Sequence, residues 1–351
     1  MNYAIAFGTA FALAALITPY VRRFAIKRGI VDRPSDPRKI HRHPVAYLGG
    51  VAIFLAFAIT SILNIAPSRQ FLALLAGCAV LVVVGIVDDM RSLSPWVKLI
   101  WQFIAAGVAL AGGIGITQIT NPFGGVILLD QGRFAASIGD FHFHIAPVAN
   151  ALSLLWMVGL ANTINFLDGL DGLAGGVSGI AAFIMFLLAV GPNVAQPGVA
   201  MIAIVLAGAA FGWLPYNFYP ARIFMGDSGA YFLGLALAML AIYSGAKLAT
   251  AALVLGLPII DTLWAVTRRL YKRTSPFRAD RGHFHHLLLD VGLSQRQAVL
   301  TLYGVAATFG TIALFSGSLA KLIALVVLFV AMAIAITILL GISLRRTKAL
   351  K

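Results

Sequence analysis

Eleven apolar runs constrain this chain more than anything else in it. They cover approximately residues 3–21, 47–65, 71–87, 95–113, 147–164, 173–190, 199–216, 228–243, 248–266, 298–316 and 319–344. A helix needs about 20 apolar residues to cross the hydrocarbon core of a bilayer. Lipid offers the backbone no hydrogen bonds, so such runs must satisfy their own polar groups as helices. The pattern predicts an all-α polytopic membrane protein with about eleven spanning helices, in one domain covering residues 1–351. Composition excludes the soluble alternative: 60% of residues are hydrophobic and only 11% are charged, where soluble domains average about 25% charged. No basic stretch precedes the first run, so it reads as a retained helix and not as a cleaved signal. The single cysteine, Cys78, can form no internal disulfide.

The net charge is +14. In a soluble chain that would suggest nucleic acid. Here no nucleic-acid partner is expected, because basic residues collect in cytoplasmic loops and attract anionic lipid heads and phosphorylated substrates. With loop 22–42 in the cytoplasm, only Arg69, Arg133, Lys247 and Lys321 of the 26 Lys and Arg residues fall on the far side. The expectation is an N-terminus outside and a C-terminus inside. The outside connection 116–144 holds two strand-favouring stretches, 126–129 and 141–145, around Asp130-Gln131-Gly132. These predict a small outside β-hairpin. His142 and His144 are then either metal ligands two apart on a strand or solvent-facing strand positions.

The residues able to do chemistry gather on the cytoplasmic side. All 12 acidic residues are aspartate, and Asp88, Asp89, Asp168, Asp171 and Asp227 sit at or beside ends of apolar runs. Asn162, Asn165, Asp168 and Asp171 recur every third residue, which would line one drifting helix face. Glycines follow them, leaving room for a ligand and for an anion-attracting helix N-terminus. Together they read as one wall of a site for a phosphate-rich substrate. Asp88-Asp89 is either a polar stop to a helix or a hard-oxygen pair for Mg²⁺ or Mn²⁺. Asp227 either caps the next helix or binds a metal shared with phosphate oxygens. Phe224 either packs internally or stacks on a nucleobase.

Two basic loops complete the set. Loop 267–294 carries Arg268, Arg269, Lys272, Arg273, Arg278 and Arg281 ahead of His283-Phe284-His285-His286. Arginine forks suit pyrophosphate, and histidines serve as general acids, phosphate donors or metal ligands. The same arginines are also what cytoplasmic orientation alone would place there. Zinc is not expected, since soft ligands at suitable spacing are lacking. Asp261 follows Pro258, which would kink its helix; it is expected to be a buried structural carboxylate paired with a loop arginine. Loop 32–44, with Lys39 and His41 ahead of Gly49-Gly50, either holds a lipid phosphate or reflects topology alone.

The order of these motifs resembles that of the bacterial polyprenyl-phosphate N-acetylhexosamine-1-phosphate transferases, which start assembly of wall teichoic acid, O-antigen or enterobacterial common antigen. The likeness runs through Arg38-Lys39-Ile40-His41 with Gly49-Gly50, Asp88-Asp89, Asn162-x-x-Asn165-x-x-Asp168-Gly-x-Asp171-Gly, Phe224-Met-Gly-Asp227-Ser-Gly and Asp280-Arg281-x-His283-x-His285-His286. One departure is Tyr47, where close relatives often carry arginine. The resemblance implies helices around a cytoplasm-facing cleft in a bacterial inner membrane. It implies transfer of N-acetylhexosamine-1-phosphate, foremost GlcNAc-1-phosphate, from a UDP-sugar to undecaprenyl phosphate with release of UMP.

By the same resemblance Asp227 is the expected Mg²⁺ ligand with Asn165 nearby, Mn²⁺ being an alternative ion. Asp88, Asp89, Asp168 and His283 are the catalytic candidates, with Asp88 or Asp89 accepting a residual proton. Asp171, Asn217 and Phe224 fall at nucleotide-recognition positions. Asn162, Lys39, Arg281, His285 and His286 complete the substrate contacts. The sequence leaves open a homodimer. It also leaves a related reading, transfer of phospho-MurNAc-pentapeptide. A secondary transporter predicts midplane carboxylates and repeats, whereas these aspartates cluster at one face.

Overall fold

Each of the eleven apolar runs is helical in the computed structural model, which describes residues 2–34, 43–132, 134–138, 141–192, 194–245, 248–275 and 282–349. The chain opens with α1 (Tyr3–Lys27), a two-stranded ladder of β1 (Val31–Asp32) and β2 (Val45–Ala46), then α2 (Gly49–Asn64), α3 (Arg69–Arg91) and α4 (Pro95–Ala111). Strands β3 (Gln118–Thr120), β4 (Val126–Leu128), β5 (Phe134–Ile138) and β6 (Phe141–Ile145) follow. Then come α5 (Pro147–Leu167), α6 (Leu173–Val190), α7 (Pro197–Asn217) and α8 (Gly226–Tyr243). The chain ends with α9 (Leu248–Val254), α10 (Gly256–Tyr271), α11 (Phe284–Asp290), α12 (Gln295–Phe315) and α13 (Ser318–Ala349).

Local chemistry explains where the helices start. Ser68 and Ser94 accept hydrogen bonds from the backbone N–H groups of Phe71 and Val97, capping α3 and α4. Ser294 and Gln297 form a reciprocal capping box on α12. Proline opens α4, α5 and α7, where the missing N–H costs nothing.

Among the described residues, eight helices are long and apolar enough to cross a membrane, or nine if α9 and α10 count as one. The remaining apolar runs of the expected eleven or so form shorter or broken helices. Helices α2 and α4 have only 16 and 17 residues. The run expected as one helix over 248–266 breaks between α9 and α10, which meet at 78°. Pro258 lies in the first turn of α10, not at the bend itself. The expected single hairpin is also revised. Among the described residues this connection holds two, β3 with β4 and β5 with β6. Stretches 126–128 and 141–145 each pair with a less distinctive neighbour instead of with each other. His142 and His144 fall on β6, and their side chains lie outside the described set.

Helix α8 is the most buried of the spans. It packs against α3, α5 and α2, and Phe232 meets Phe54 and Phe57 of α2 at centroid distances of 5.4 and 5.6 Å. Small residues make the close approach feasible, as membrane helices require. A Cβ added at Gly85 of α3 would collide with the backbone of Ser228, and one at Gly50 of α2 with that of Gly229. Gly85→Val should therefore push α3 from α8 and cost about 1–3 kcal/mol. A lower melting temperature in detergent is the expected reading; an unchanged one would mean that these helices are not held at this distance. By contrast α1 and α13 are little buried and expose apolar side chains, as lipid-facing helices do.

The antiparallel run of helices brings the C-terminal ends of α3, α5 and α10 together with the N-terminal ends of α4 and α8. The two hairpins lie between α4 and α5, at the opposite end of those helices.

Candidate active site

The site is built on two helix ends that face each other, α3 and α8. Asp89, near the end of α3, caps α8: its Oδ1 accepts the backbone N–H of Asp227 at 2.9 Å, and its Oδ2 accepts the Ser228 hydroxyl at 3.0 Å. This answers the question of who caps α8. The cap is Asp89 from another helix, which leaves the Asp227 side chain for other work. The partial positive charge of a helix N-terminus suits that carboxylate. Gly226, at φ +70°, lets the carboxylate approach; a Cβ there would strike it.

Asp88 points the other way. Its Oδ1 accepts the Leu93 N–H at 2.6 Å, holding the turn into α4. Its Oδ2 lies 3.1 Å from Lys98 Nζ, and the same ammonium lies 3.0 Å from Asp227 Oδ2. Asp227 Oδ1 accepts from Asn165 Nδ2 at 2.8 Å. One ammonium thus bridges two carboxylates, and one amide orients the second of them.

A cavity of about 310 Å³ opens beside this cluster. Its walls include Lys98, Gln102, Asn162, Asn165, Asp168 and Tyr231, with Arg269, His283, His285 and His286 from the C-terminal half. Gln102 and Asn162 exchange hydrogen bonds of 2.6 and 3.3 Å. His283 sits between Asp261 and Arg269, with its Nδ1 2.9 Å from Asp261 Oδ2 and its Nε2 3.2 Å from Arg269 Nη2. The expected partner of Asp261, a loop arginine, is therefore corrected to His283 and the Phe284 N–H. His285 is 2% exposed, and neither ring nitrogen has a hydrogen-bond partner among the described residues. Burial, then the neighbouring His286 and His283, hold its pKa well below the usual histidine range, so it stays neutral.

Most expected site residues converge here, but they form two groups. Asp88, Asp89, Asn162, Asn165, Asp168, Asp227 and the three histidines surround the cavity or the carboxylate cluster. Asp171 in the α5–α6 turn, Asn217 at the end of α7 and Phe224 in the α7–α8 connection do not, among the described residues, line the cavity. Asn217 is buried and joins two loops: Oδ1 accepts from Gly172 N at 2.8 Å and Nδ2 donates to the Ile223 carbonyl at 2.9 Å. Asp171 accepts from Ala221 N at 2.9 Å. Tyr47 stands 6.1 Å from Phe224, ring to ring. Lys39 and Arg281 lie outside the described residues.

The expected single face for Asn162, Asn165, Asp168 and Asp171 is interrupted. Helix α5 stops at Leu167, Asp168 caps its end, and Gly172 at φ +85° turns the chain into α6. Lys98, Gln102 and Tyr231 were absent from the expected site, and Arg269 stood in it only as one of six basic residues of loop 267–294. Lys98 and Gln102 stand four apart in an apolar helix, so they share a face; that spacing was the available signal.

Asp168 lies just beyond α5. Removal from water, helped by the carboxylates of Asp227 and Asp171, pushes its carboxyl from the usual 3.8 up to about 7. Between those values the folded protein keeps a proton that the unfolded chain releases. Stability from this group is therefore full below about 3.8 and lost as pH rises through about 7. Asp168→Asn should melt higher than the native protein above neutral pH and no higher at about pH 4. A difference independent of pH would contradict the shift.

The residues fit a divalent cation brought by a phosphate. Among the described residues, no three or more His, Cys or Asp side chains converge as a metal cage. Mg²⁺, however, commonly uses one or two carboxylates plus substrate phosphates and water. Asp227 and Asp88 already direct oxygens at one cation, the Lys98 ammonium.

The chain was also compared with known proteins. Residues 71–245 match the model of glycosyl transferase family 4. That stretch runs from α3 through α8 and holds the whole carboxylate cluster. The chain is 33% identical, over 93% of its length and 88% of the relative's, to a probable undecaprenyl-phosphate N-acetylglucosaminyl 1-phosphate transferase of Bacillus subtilis. It is 34% identical to a decaprenyl-phosphate N-acetylglucosaminephosphotransferase of Mycolicibacterium smegmatis, over 84% and 77% of the two chains. It is 29% identical to an undecaprenyl-phosphate alpha-N-acetylglucosaminyl 1-phosphate transferase of Pasteurella multocida, over 86% and 83%. With one relative 33% identical over 93% of the chain and the matched family stretch holding the carboxylate cluster, this chain belongs to glycosyl transferase family 4.

Proposed function

We propose that the chain transfers N-acetylglucosamine-1-phosphate from UDP-N-acetylglucosamine to undecaprenyl phosphate, releasing UMP. It acts at the cytoplasmic face of a bacterial inner membrane, as the first membrane step of a cell-envelope polysaccharide. The names of the relatives support the polyprenyl phosphate acceptor and the sugar. The excess of basic residues in the connections beside the site supports the orientation. The observation that carries the reading is the Asp88–Lys98–Asp227 cluster at membrane-helix ends, beside a cavity lined by an arginine and three histidines.

The chemistry follows from charge. A phosphate monoester has a second pKa of about 6, so the lipid phosphate is largely dianionic at neutral pH. One of its oxygens bonds to the β-phosphorus of the donor. The bond from that phosphorus to the bridging oxygen breaks, and UMP leaves with the electron pair. No strong base is needed. Asp89 has both oxygens on the start of α8 and holds that helix in place, whereas Asp88, which accepts from Leu93 N and Lys98 Nζ, faces the cluster beside Asp227.

What the reaction needs is alignment and compensation of negative charge. Lys98 and Arg269 supply part of it from the cavity wall. Asp227, with Asp88 and the amide of Asn165, would hold Mg²⁺ (or Mn²⁺), which neutralises charge on the diphosphate when bound. Asn162, His285 and His286 line the space for phosphates and sugar, and Phe224 with Asp171 and Asn217 shapes the nucleotide loop.

A donor panel tests the proposal. Purified protein with undecaprenyl phosphate and Mg²⁺ is given UDP-GlcNAc, UDP-GalNAc or UDP-MurNAc-pentapeptide separately. UMP release with UDP-GlcNAc is the expected result. Release with the pentapeptide donor alone would move the chain to the peptidoglycan branch, and release with none would end the transferase reading.

A further inference from the structure

We infer that Asp261 is a positioning residue: it fixes His283 in its Nδ1–H form and, through that ring, sets the Arg269 guanidinium on the cavity wall. The kinetic part of this inference rests on the function proposed above; the geometric part does not.

The three side chains form a buried line. Asp261, His283 and Arg269 are 3%, 6% and 4% exposed. Both oxygens of Asp261 are engaged, Oδ2 with His283 Nδ1 at 2.9 Å and Oδ1 with the Phe284 N–H at 2.7 Å. On the far side of the ring, Nε2 stands 3.2 Å from Arg269 Nη2.

The chemistry of the partners selects the tautomer. A guanidinium has only N–H donors, so at that contact Nε2 must accept with its lone pair. A neutral imidazole with a bare Nε2 carries its proton on Nδ1, which here faces a carboxylate oxygen. The other neutral tautomer would set donor against donor at Arg269 and lone pair against lone pair at Asp261. An imidazolium would also set N–H against N–H at Arg269. Only the Nδ1–H form satisfies both contacts.

This changes the role expected for His283. Its Nε2 lone pair is committed to Arg269, so the ring links two residues and does not shuttle a proton. The guanidinium is held on a second side by the Phe166 ring, whose centroid lies 5.6 Å from its central carbon. Arg269, His283 and Phe166 line the cavity, and Asp261 is not among the lining residues described. Asp261 thus acts from behind, from the second turn of α10, on a fork suited to phosphate oxygens. The packing of α10 onto α5 keeps Phe166 and Arg269 together.

The test has two arms. In the first, protein carrying nitrogen-15 histidine is placed in lipid nanodiscs above neutral pH. The His283 resonances are identified by their loss in His283→Gln. A protonated Nδ1 and a bare Nε2 are expected; a proton on Nε2, or on both nitrogens, overturns the inference. This arm needs no substrate and no Asp261 variant, so it decides the geometry even if Asp261→Asn fails to fold or no donor is turned over.

In the second arm Asp261→Asn is assayed for UMP release. A carboxamide offers one acceptor where two donors wait, so the Nδ1–H form is no longer enforced. The kcat/KM for UDP-GlcNAc should fall about tenfold to a hundredfold, the usual range for outer-shell partners, with the KM rising. In an Arg269→Lys background the same substitution should cost little more. Losses that simply add would show Asp261 acting independently of Arg269 and overturn the inference.

Discussion

Asp227→Ala should lose turnover on the order of a thousandfold, about 4 kcal/mol at the transition state, while remaining folded. The two halves of that expectation come from different atoms. Asp227 is tied into the fold by its backbone N–H, which Asp89 accepts at 2.9 Å whatever the side chain. Its carboxylate faces the site, taking Lys98 at 3.0 Å on one oxygen and Asn165 at 2.8 Å on the other, beside the side chains of Asp88 and Tyr231. Removing it should release both partners and, on the proposed mechanism, the oxygen that would hold a divalent cation. It should also relieve repulsion with Asp88 and Asp89. UMP release and thermal melting, measured on the same preparation, check this. Lost activity with an unchanged melting temperature is expected. Substantial remaining activity would remove Asp227 from the reaction.

Lys98→Met should act on both stability and rate. The methionine keeps most of the stem but leaves Asp88 and Asp227 facing each other without the ammonium that now lies 3.1 and 3.0 Å from them. Removing one partner from a largely buried ion group costs about 3 kcal/mol, and loss of the charge should lower kcat/KM about a hundredfold. The variant carries its own internal control. Added Mg²⁺ should raise its melting temperature more than it raises that of the native protein, because a divalent cation can replace the missing ammonium between the carboxylates. A variant that melts like the native protein, with no extra response to Mg²⁺, would show that these carboxylates need no cation.

Much of this architecture was legible in the sequence because its causes are local. Eleven apolar runs became helices because length and composition alone decide that in lipid. Asp88-Asp89 and Asp227 could be singled out because carboxylates at the ends of such runs are costly without a purpose. The parts that escaped depend on contacts distant in sequence. Lys98 reads as an isolated lysine near a helix start until the turn at Ser92 folds α4 back on α3. Asp261 and His283 are separated by a loop, and a loop arginine was an equally sound partner for a buried carboxylate. The capping of α8 by Asp89 joins residues from different helices, which no local pattern encodes. The helix face through Asn162 and Asn165 ended early because Gly172 could adopt a positive φ, which the run of glycines permitted without requiring. The second hairpin was missed because Gln118–Thr120 is only three residues long, too short for alternation to show, and is paired by its neighbour.

Which bond of the donor breaks separates phosphoryl transfer from transfer of the sugar alone. If the cluster of Asp88, Lys98 and Asp227 serves phosphoryl transfer, the β-phosphorus must travel with the sugar. The direct measurement uses UDP-GlcNAc labelled with phosphorus-32 at the β position, undecaprenyl phosphate, Mg²⁺ and the purified protein in nanodiscs. The label should move into the lipid as pyrophosphoryl-GlcNAc, with unlabelled UMP as the only nucleotide product. Label left in UDP beside a glycosylated lipid would mean that the sugar alone is transferred, and would contradict the account.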